Sequence, residues 1–105
     1  MTAPADYNET KEKQGSHYIY MLLCSDDTIY TGYTIDLQRR VKEHNEGKGA
    51  AYTRGRTPVL LVHWEQYQTR SQAQKREYEI KQLSHQEKVA LIAQDQNHRS
   101  DEARV

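Results

Sequence analysis

Between polar ends, the apolar positions of this chain fall into short dense runs and then into spaced stripes. Residues 17–24 (His-Tyr-Ile-Tyr-Met-Leu-Leu-Cys) are an almost unbroken series of aromatic and aliphatic side chains and predict a buried strand. Ser25, Asp26 and Asp27 have turn chemistry, because short oxygen-bearing side chains bond their own backbone. Thr28 to Thr34, rich in Thr, Ile and Tyr, predicts a second strand. So short a connection makes the two an antiparallel hairpin. Then the period changes. Asp36 suits the N-cap of a helix to about Asn45, with Leu37 and Val41 four apart on its inner face, and Gly47 stops it. A Gly-rich basic loop, 47–57, leads into a third strand over Pro58–Tyr67, centred on Val59, Leu60, Leu61 and Val62. Ser71 with Gln74 and Ser84 with Glu87 fit capping boxes that open helices through about Leu83 and about Ala93. The pattern predicts an α/β domain of the α+β type, in the order β-β-α-β-α-α.

Length confines this pattern to one domain with a modest core, since the chain has 105 residues. With 29% of residues charged and a mean hydropathy of −1.07, the composition suits polar tails around a smaller folded centre. The expected division is a disordered arm over 1–16, a folded domain over 17–94 and a disordered tail over 95–105. Cys24 is the only cysteine, so no intramolecular disulfide is available and neither an oxidising compartment nor a structural zinc site is indicated. Residues 1–16 lack the apolar core of a signal peptide. The apolar runs are too short to span a bilayer, so the expected location is cytoplasmic, with no membrane partner.

The formal net charge of zero argues at first against a nucleic-acid partner, but the distribution argues otherwise. Residues 37–88 carry eleven Lys and Arg against six Asp and Glu, a net +5, and the rest of the chain balances this at −5. A basic centre between acidic flanks is compatible with binding phosphates, and equally with ordinary solvated surface.

Three features could carry chemistry. The chain has eight Tyr and no Phe. A core needing only aromatic bulk would use Phe, so retained hydroxyls point either to a polar site on one sheet face or to half-buried tyrosines on an exposed one. On the first helix, Arg40 and His44 share a stripe flanked by Leu37 and Val41; a snorkelling surface arginine is the plainer account. On the second, Glu77 interrupts an inward stripe of Ala73 and Ile80, and there it needs a cation, a metal or open water. Together these are the parts of a phosphodiester hydrolase: a hydroxyl, an arginine for phosphate charge and a carboxylate for a divalent ion. The chain has no P-loop, Cys-x-x-Cys, Gly-x-Ser-x-Gly or His-Glu-x-x-His.

In this order, Tyr18-Ile19-Tyr20, Tyr30-Thr31-Gly32, Asp36 to Arg40 with His44, Tyr52-Thr53-Arg54-Gly55-Arg56 and Glu77 resemble the GIY-YIG endonuclease superfamily, in its small stand-alone bacterial branch. The likeness covers roughly residues 17–92. Tyr18 replaces the glycine of the first motif and Thr31 the isoleucine of the second. The resemblance implies a GIY-YIG fold, a three-stranded, mainly antiparallel sheet flanked by helices, and a metal-dependent DNA endonuclease. It implies catalytic roles for Tyr20, Tyr30, Arg40, His44 and Glu77. One tyrosine would accept or orient the proton of the attacking water, Arg40 would neutralise the scissile phosphate, and Glu77 would hold a single Mg²⁺ or Mn²⁺. An ordinary tyrosine titrates near about 10, so the resemblance also implies that Arg40 or the metal lowers that value.

Gly32 would let backbone and substrate approach closely, and Lys48, Arg54 and Arg56 of the basic loop would grip the nucleic-acid backbone. Nothing resembles a base-reading element, so binding is expected to be salt-sensitive and weakly sequence-specific. The leading expectation is an endonuclease of DNA repair or recombination. RNA as substrate, and a binding module with little catalysis, stay open as alternatives.

Overall fold

The computed structural model describes residues 16–94 in full and carries the last helix to Arg104 by its backbone. The disordered arm and tail expected at the two ends lie, Ser16 apart, outside the fully described residues. The elements are strands β1 (His17–Leu23) and β2 (Ile29–Thr34), helix α1 (Leu37–Asn45), a 3₁₀ turn (Ala51–Thr53), strand β3 (Leu60–Tyr67), and helices α2 (Arg70–Lys81) and α3 (His85–Arg104). The order is the expected β-β-α-β-α-α. The sheet runs β2-β1-β3 and both pairings are antiparallel.

The unbroken apolar run of β1 follows from its central position: covered on both faces, it has no reason to alternate. Ile19 and Met21 pack on one side with Ala73 and Ile80 of α2. Tyr20 and Leu22 pack on the other with Leu37 and Val41 of α1 and with Val59. Every one of those β1 residues is at most 1% exposed. Adjacent residues of one strand thus serve two different layers.

Three local devices place α1 and α2. The Asp36 side chain accepts a bond from Arg39 N at 3.1 Å, the expected N-cap. At the far end, Asn45 clasps the backbone of Val59 through both its amide groups, at 2.7 and 3.1 Å, and so closes the loop between α1 and β3. Helix α2 starts two residues before the expected point, because the capping box is Thr69 with Gln72 rather than Ser71 with Gln74. Both pairs have the right spacing. The register of β3 decides between them, since the strand ends at Tyr67 and leaves Thr69 at the turn. The box at Ser84 and Glu87 forms as expected.

Candidate active site

The site grows from one buried phenol. Tyr20 stands opposite Gly32 on β2 and Trp64 on β3, and its ring lies across the backbone of Gly32. A Cβ at position 32 would sit 2.6 Å from the Tyr20 hydroxyl, so no side chain but hydrogen fits there. The room expected for substrate at Gly32 is filled by Tyr20 itself.

From Tyr20 a directed chain of hydrogen bonds runs inward. Its hydroxyl is 2.8 Å from His44 Nε2, His44 Nδ1 is 2.7 Å from Thr53 Oγ1, and Thr53 Oγ1 is 2.9 Å from the Ala50 carbonyl oxygen. A carbonyl only accepts, so the Thr53 hydroxyl donates its single proton to Ala50. Thr53 must then accept from His44, which puts the imidazole proton on Nδ1. His44 Nε2 is left with its lone pair, and Tyr20 donates to it. The tautomer is fixed by the chain's end point. Burial and then the Arg40 charge hold His44 below its usual pKa, in keeping with this neutral ring. Gly49 closes the clamp: a Cβ there would fall 2.2 Å from His44 Nδ1. His44 and Thr53 are both fully buried.

The resemblance implies that Arg40 or a metal lowers a tyrosine pKa; the protein's own groups do not lower that of Tyr20. Burial pushes Tyr20 up to about 12, and the opposing pull of Arg40 is too weak to reverse it, with Tyr30 and Glu77 adding to the rise. In this state Tyr20 is a proton donor.

Around that hydroxyl gather groups from three further elements. Arg40 of α1 flanks it with its guanidinium, which also donates to Glu43 Oε1 at 3.0 Å. Tyr30 of β2 packs with its ring centroid 6.2 Å from that of Tyr20 and 5.4 Å from that of His44. Glu77 of α2 is near enough to act on the charge of Tyr20 and pairs with Lys81 Nζ at 2.9 Å. Tyr20, Tyr30, Arg40 and His44 thus come together, with Glu77 within electrostatic reach of Tyr20. The donor set for a divalent ion is one carboxylate, and no group of three or more His, Cys, Asp or Glu that could hold an ion occurs among the described residues. That suits Mg²⁺, which binds through one or two carboxylates with waters and substrate phosphate oxygens completing its shell.

The loop residues divide. Lys48 and Arg54 are exposed, with Lys48 3.9 Å from Glu46. Arg56 is committed within the protein's own surface: it donates to Asp26 at 2.9 Å and to the Tyr52 carbonyl at 2.7 Å, and its guanidinium lies 4.1 Å from the centre of the Tyr52 ring. Tyr52 in turn stacks on Tyr30, with centroids 5.9 Å apart and planes at 24°. Sequence reasoning missed Thr53, Gly49 and Tyr52. The available signal was a Thr inside a basic loop whose neighbours are mostly small or charged, and a histidine on the inner face of α1 that needed a second partner.

Comparison with known proteins identifies the family of the chain. A family model described as the GIY-YIG catalytic domain matches residues 16–90. A UPF0213 protein of Halobacterium salinarum is 61% identical over 76 residues, covering 72% of this chain and 99% of its own. One from Bacillus velezensis is 51% identical over 88 residues, covering 84% and 87%. The solution NMR structure of an E. faecalis protein superimposes with a TM-score of 0.50 at 47% identity, covering 72% of this chain and 82% of that one. No helix among the described residues is long and apolar enough to cross a membrane.

Proposed function

Since the chain belongs to the GIY-YIG family, we propose that it is a metal-dependent endonuclease that hydrolyses DNA phosphodiester bonds with weak sequence specificity, in DNA repair or recombination. One observation carries the reading. A buried phenol on the central strand lies in the fields of Arg40, Tyr30 and Glu77, each brought from a different element.

The hydrogen-bond chain supplies a mechanism that needs no free phenolate. Water placed at Tyr20 attacks phosphorus and passes its proton to the Tyr20 oxygen as Tyr20 passes its own to His44 Nε2, while the bond from phosphorus to the leaving sugar oxygen breaks and that oxygen, leaving as an alkoxide, takes a proton from solvent. Tyr20 ends neutral and His44 ends as imidazolium, its Nδ1 proton still held by Thr53. A stepwise transfer from a phenol at about 12 to an imidazole below its usual value is steeply uphill, and coupling the two transfers avoids that intermediate. Arg40 neutralises charge growing on the phosphoryl oxygens. Glu77 would hold the divalent ion, which when bound supplies positive charge for the leaving oxygen.

The Glu77–Lys81 ion pair favours a second reading, a nucleic-acid-binding module with little catalysis, in which the lysine keeps the place of the metal. Labelled single-stranded, duplex and branched DNA with Mg²⁺ or Mn²⁺ separates the two. Cleavage by the wild type that is lost in folded Arg40→Ala and Glu77→Ala supports the nuclease. No cleavage of any DNA, with retention in a low-salt gel shift that Glu77→Ala leaves unaltered, supports the module.

A further inference from the structure

Beside this site a second concavity opens along the outer edge of β2, which has no strand partner on that side among the described residues. Ile29, Tyr30, Thr31, Tyr52, Lys81 and Lys88 enclose about 290 Å³. Two ammonium groups and three hydroxyl-bearing side chains line it, and no carboxylate does. Such a lining suits an anion rich in hydrogen-bond acceptors. Thr31 is 3% exposed and its hydroxyl has no partner among the described residues. Orphaned buried hydroxyls are uncommon in folded proteins. Thr31 borders the cleft, so a turn about its Cα–Cβ bond offers that hydroxyl a ligand oxygen as partner.

Two residues join the cleft to the candidate active site. Tyr30 belongs to both, and the Lys81 ammonium that lines the cleft touches Glu77 at 2.9 Å. The wall is preorganised, because Tyr52 is gripped between the Tyr30 ring and the Arg56 guanidinium. We propose that this cleft is a phosphate subsite that seats the phosphodiester next to the scissile one on the same strand, held by Lys88 and the Thr31 hydroxyl. The sugar of that unit lies against Tyr52. The assignment rests on the nuclease reading for its place in the substrate, and on the lining alone for its anion chemistry.

Amide NMR titration with thymidine 5′-monophosphate, thymidine and inorganic phosphate tests it without requiring cleavage. In the wild type the nucleotide gives saturable shifts at Thr31, Tyr52 and Lys88, and thymidine gives none. Lys88→Gln weakens nucleotide binding about tenfold and the isosteric Thr31→Val about threefold, with both proteins folded. Absence of saturable shifts in the wild type, or equal affinity in Lys88→Gln, overturns the site. Inorganic phosphate binding as tightly as the nucleotide at the same amides also overturns it, by making the cleft a free-phosphate site. Where DNA is cleaved, Lys88→Gln raises KM for an oligonucleotide about tenfold and leaves kcat unchanged; an unchanged KM sinks the subsite alone. Nucleotide binding here by a protein that cuts nothing sinks the nuclease reading and leaves the anion site standing.

Discussion

The two faces of the sheet each bury a polar network, and the networks are built on opposite principles. On the α2 face, Glu65 accepts from His63 at 2.8 Å, from Tyr67 at 2.5 Å, and from Arg76 at 2.8 and 3.2 Å. Burial alone would raise its pKa, but the His63, Arg76 and Tyr67 bonds outweigh it and bring it to about 2. Every lone pair is taken and the charge is matched. On the α1 face, Tyr20, His44 and Thr53 form a neutral line with one donor per link and an arginine standing beside its open end. A saturated ion network resists change, whereas a neutral directed line can pass a proton along. The first holds β3 against α2; the second, in the proposed mechanism, passes the proton.

The contrast is broken most sharply by substitution at its two centres. Tyr20→Phe removes the link that meets water, and cleavage rate falls about 10³-fold. His44→Ala removes its proton acceptor and costs a similar factor. The double variant is no slower than either single one, because the pair acts as a unit; multiplied losses in a rate measurement would instead show two independent roles. Glu65→Gln leaves the rate within about twofold and costs about 2 kcal/mol of stability in urea unfolding, since Arg76 loses a charged, bidentate partner.

Acid sharpens the same contrast. The Glu65 pKa is depressed in the folded state, so its contribution is present above the unfolded value of 4.5 and is lost as pH falls toward about 2. Over that window the wild type loses about 3 kcal/mol from this group and Glu65→Gln loses none. Denaturation curves at pH 5 and pH 3 read about 2 kcal/mol of that difference. Equal losses in both proteins would remove Glu65 from the account.

A smaller effect isolates Thr53. Replacing it with Val leaves the His44 Nδ1 proton without an acceptor and releases the tautomer. Imidazole ¹⁵N spectra should show the proton moving from Nδ1 toward Nε2, and cleavage should slow about tenfold. Thr53→Ser restores both readouts. Slow cleavage with an unchanged tautomer would mean that Thr53 only fills space.

Much of this was legible beforehand, for definable reasons. β1 is apolar on both faces, which marked it as a buried strand without giving its place in the sheet, and Asp36, Leu37 and Val41 fixed the rotation of α1. That rotation put Arg40 and His44 at the inner edge, and the Ala73–Ile80 stripe did the same for Glu77. The partners of those residues were not legible. Thr53 and Gly49 reach His44 only because Asn45 pins Val59 and folds the intervening loop back over α1. A loop's composition carries no record of such a closure. The start of α2 was ambiguous because two overlapping residue pairs satisfy one capping rule. The rise at Tyr20 was not legible because the resemblance names the charges around a phenol and says nothing of the depth at which it is buried.

The gentlest test needs no substitution. If Tyr20 acted as free phenolate, cleavage would climb about tenfold per pH unit toward its pKa of about 12, with no plateau in the accessible range. A proton line ending on His44 behaves differently. His44 must be neutral to accept, and burial holds its pKa below the usual 6.5. Activity therefore rises as pH passes upward through that depressed value, and above about pH 7 it stays level, changing less than about twofold to pH 9. Rates measured at saturating metal over pH 5–9 decide the matter, because ionisation at Tyr20 predicts a steep climb in the upper half of that range and proton transfer through it predicts a plateau.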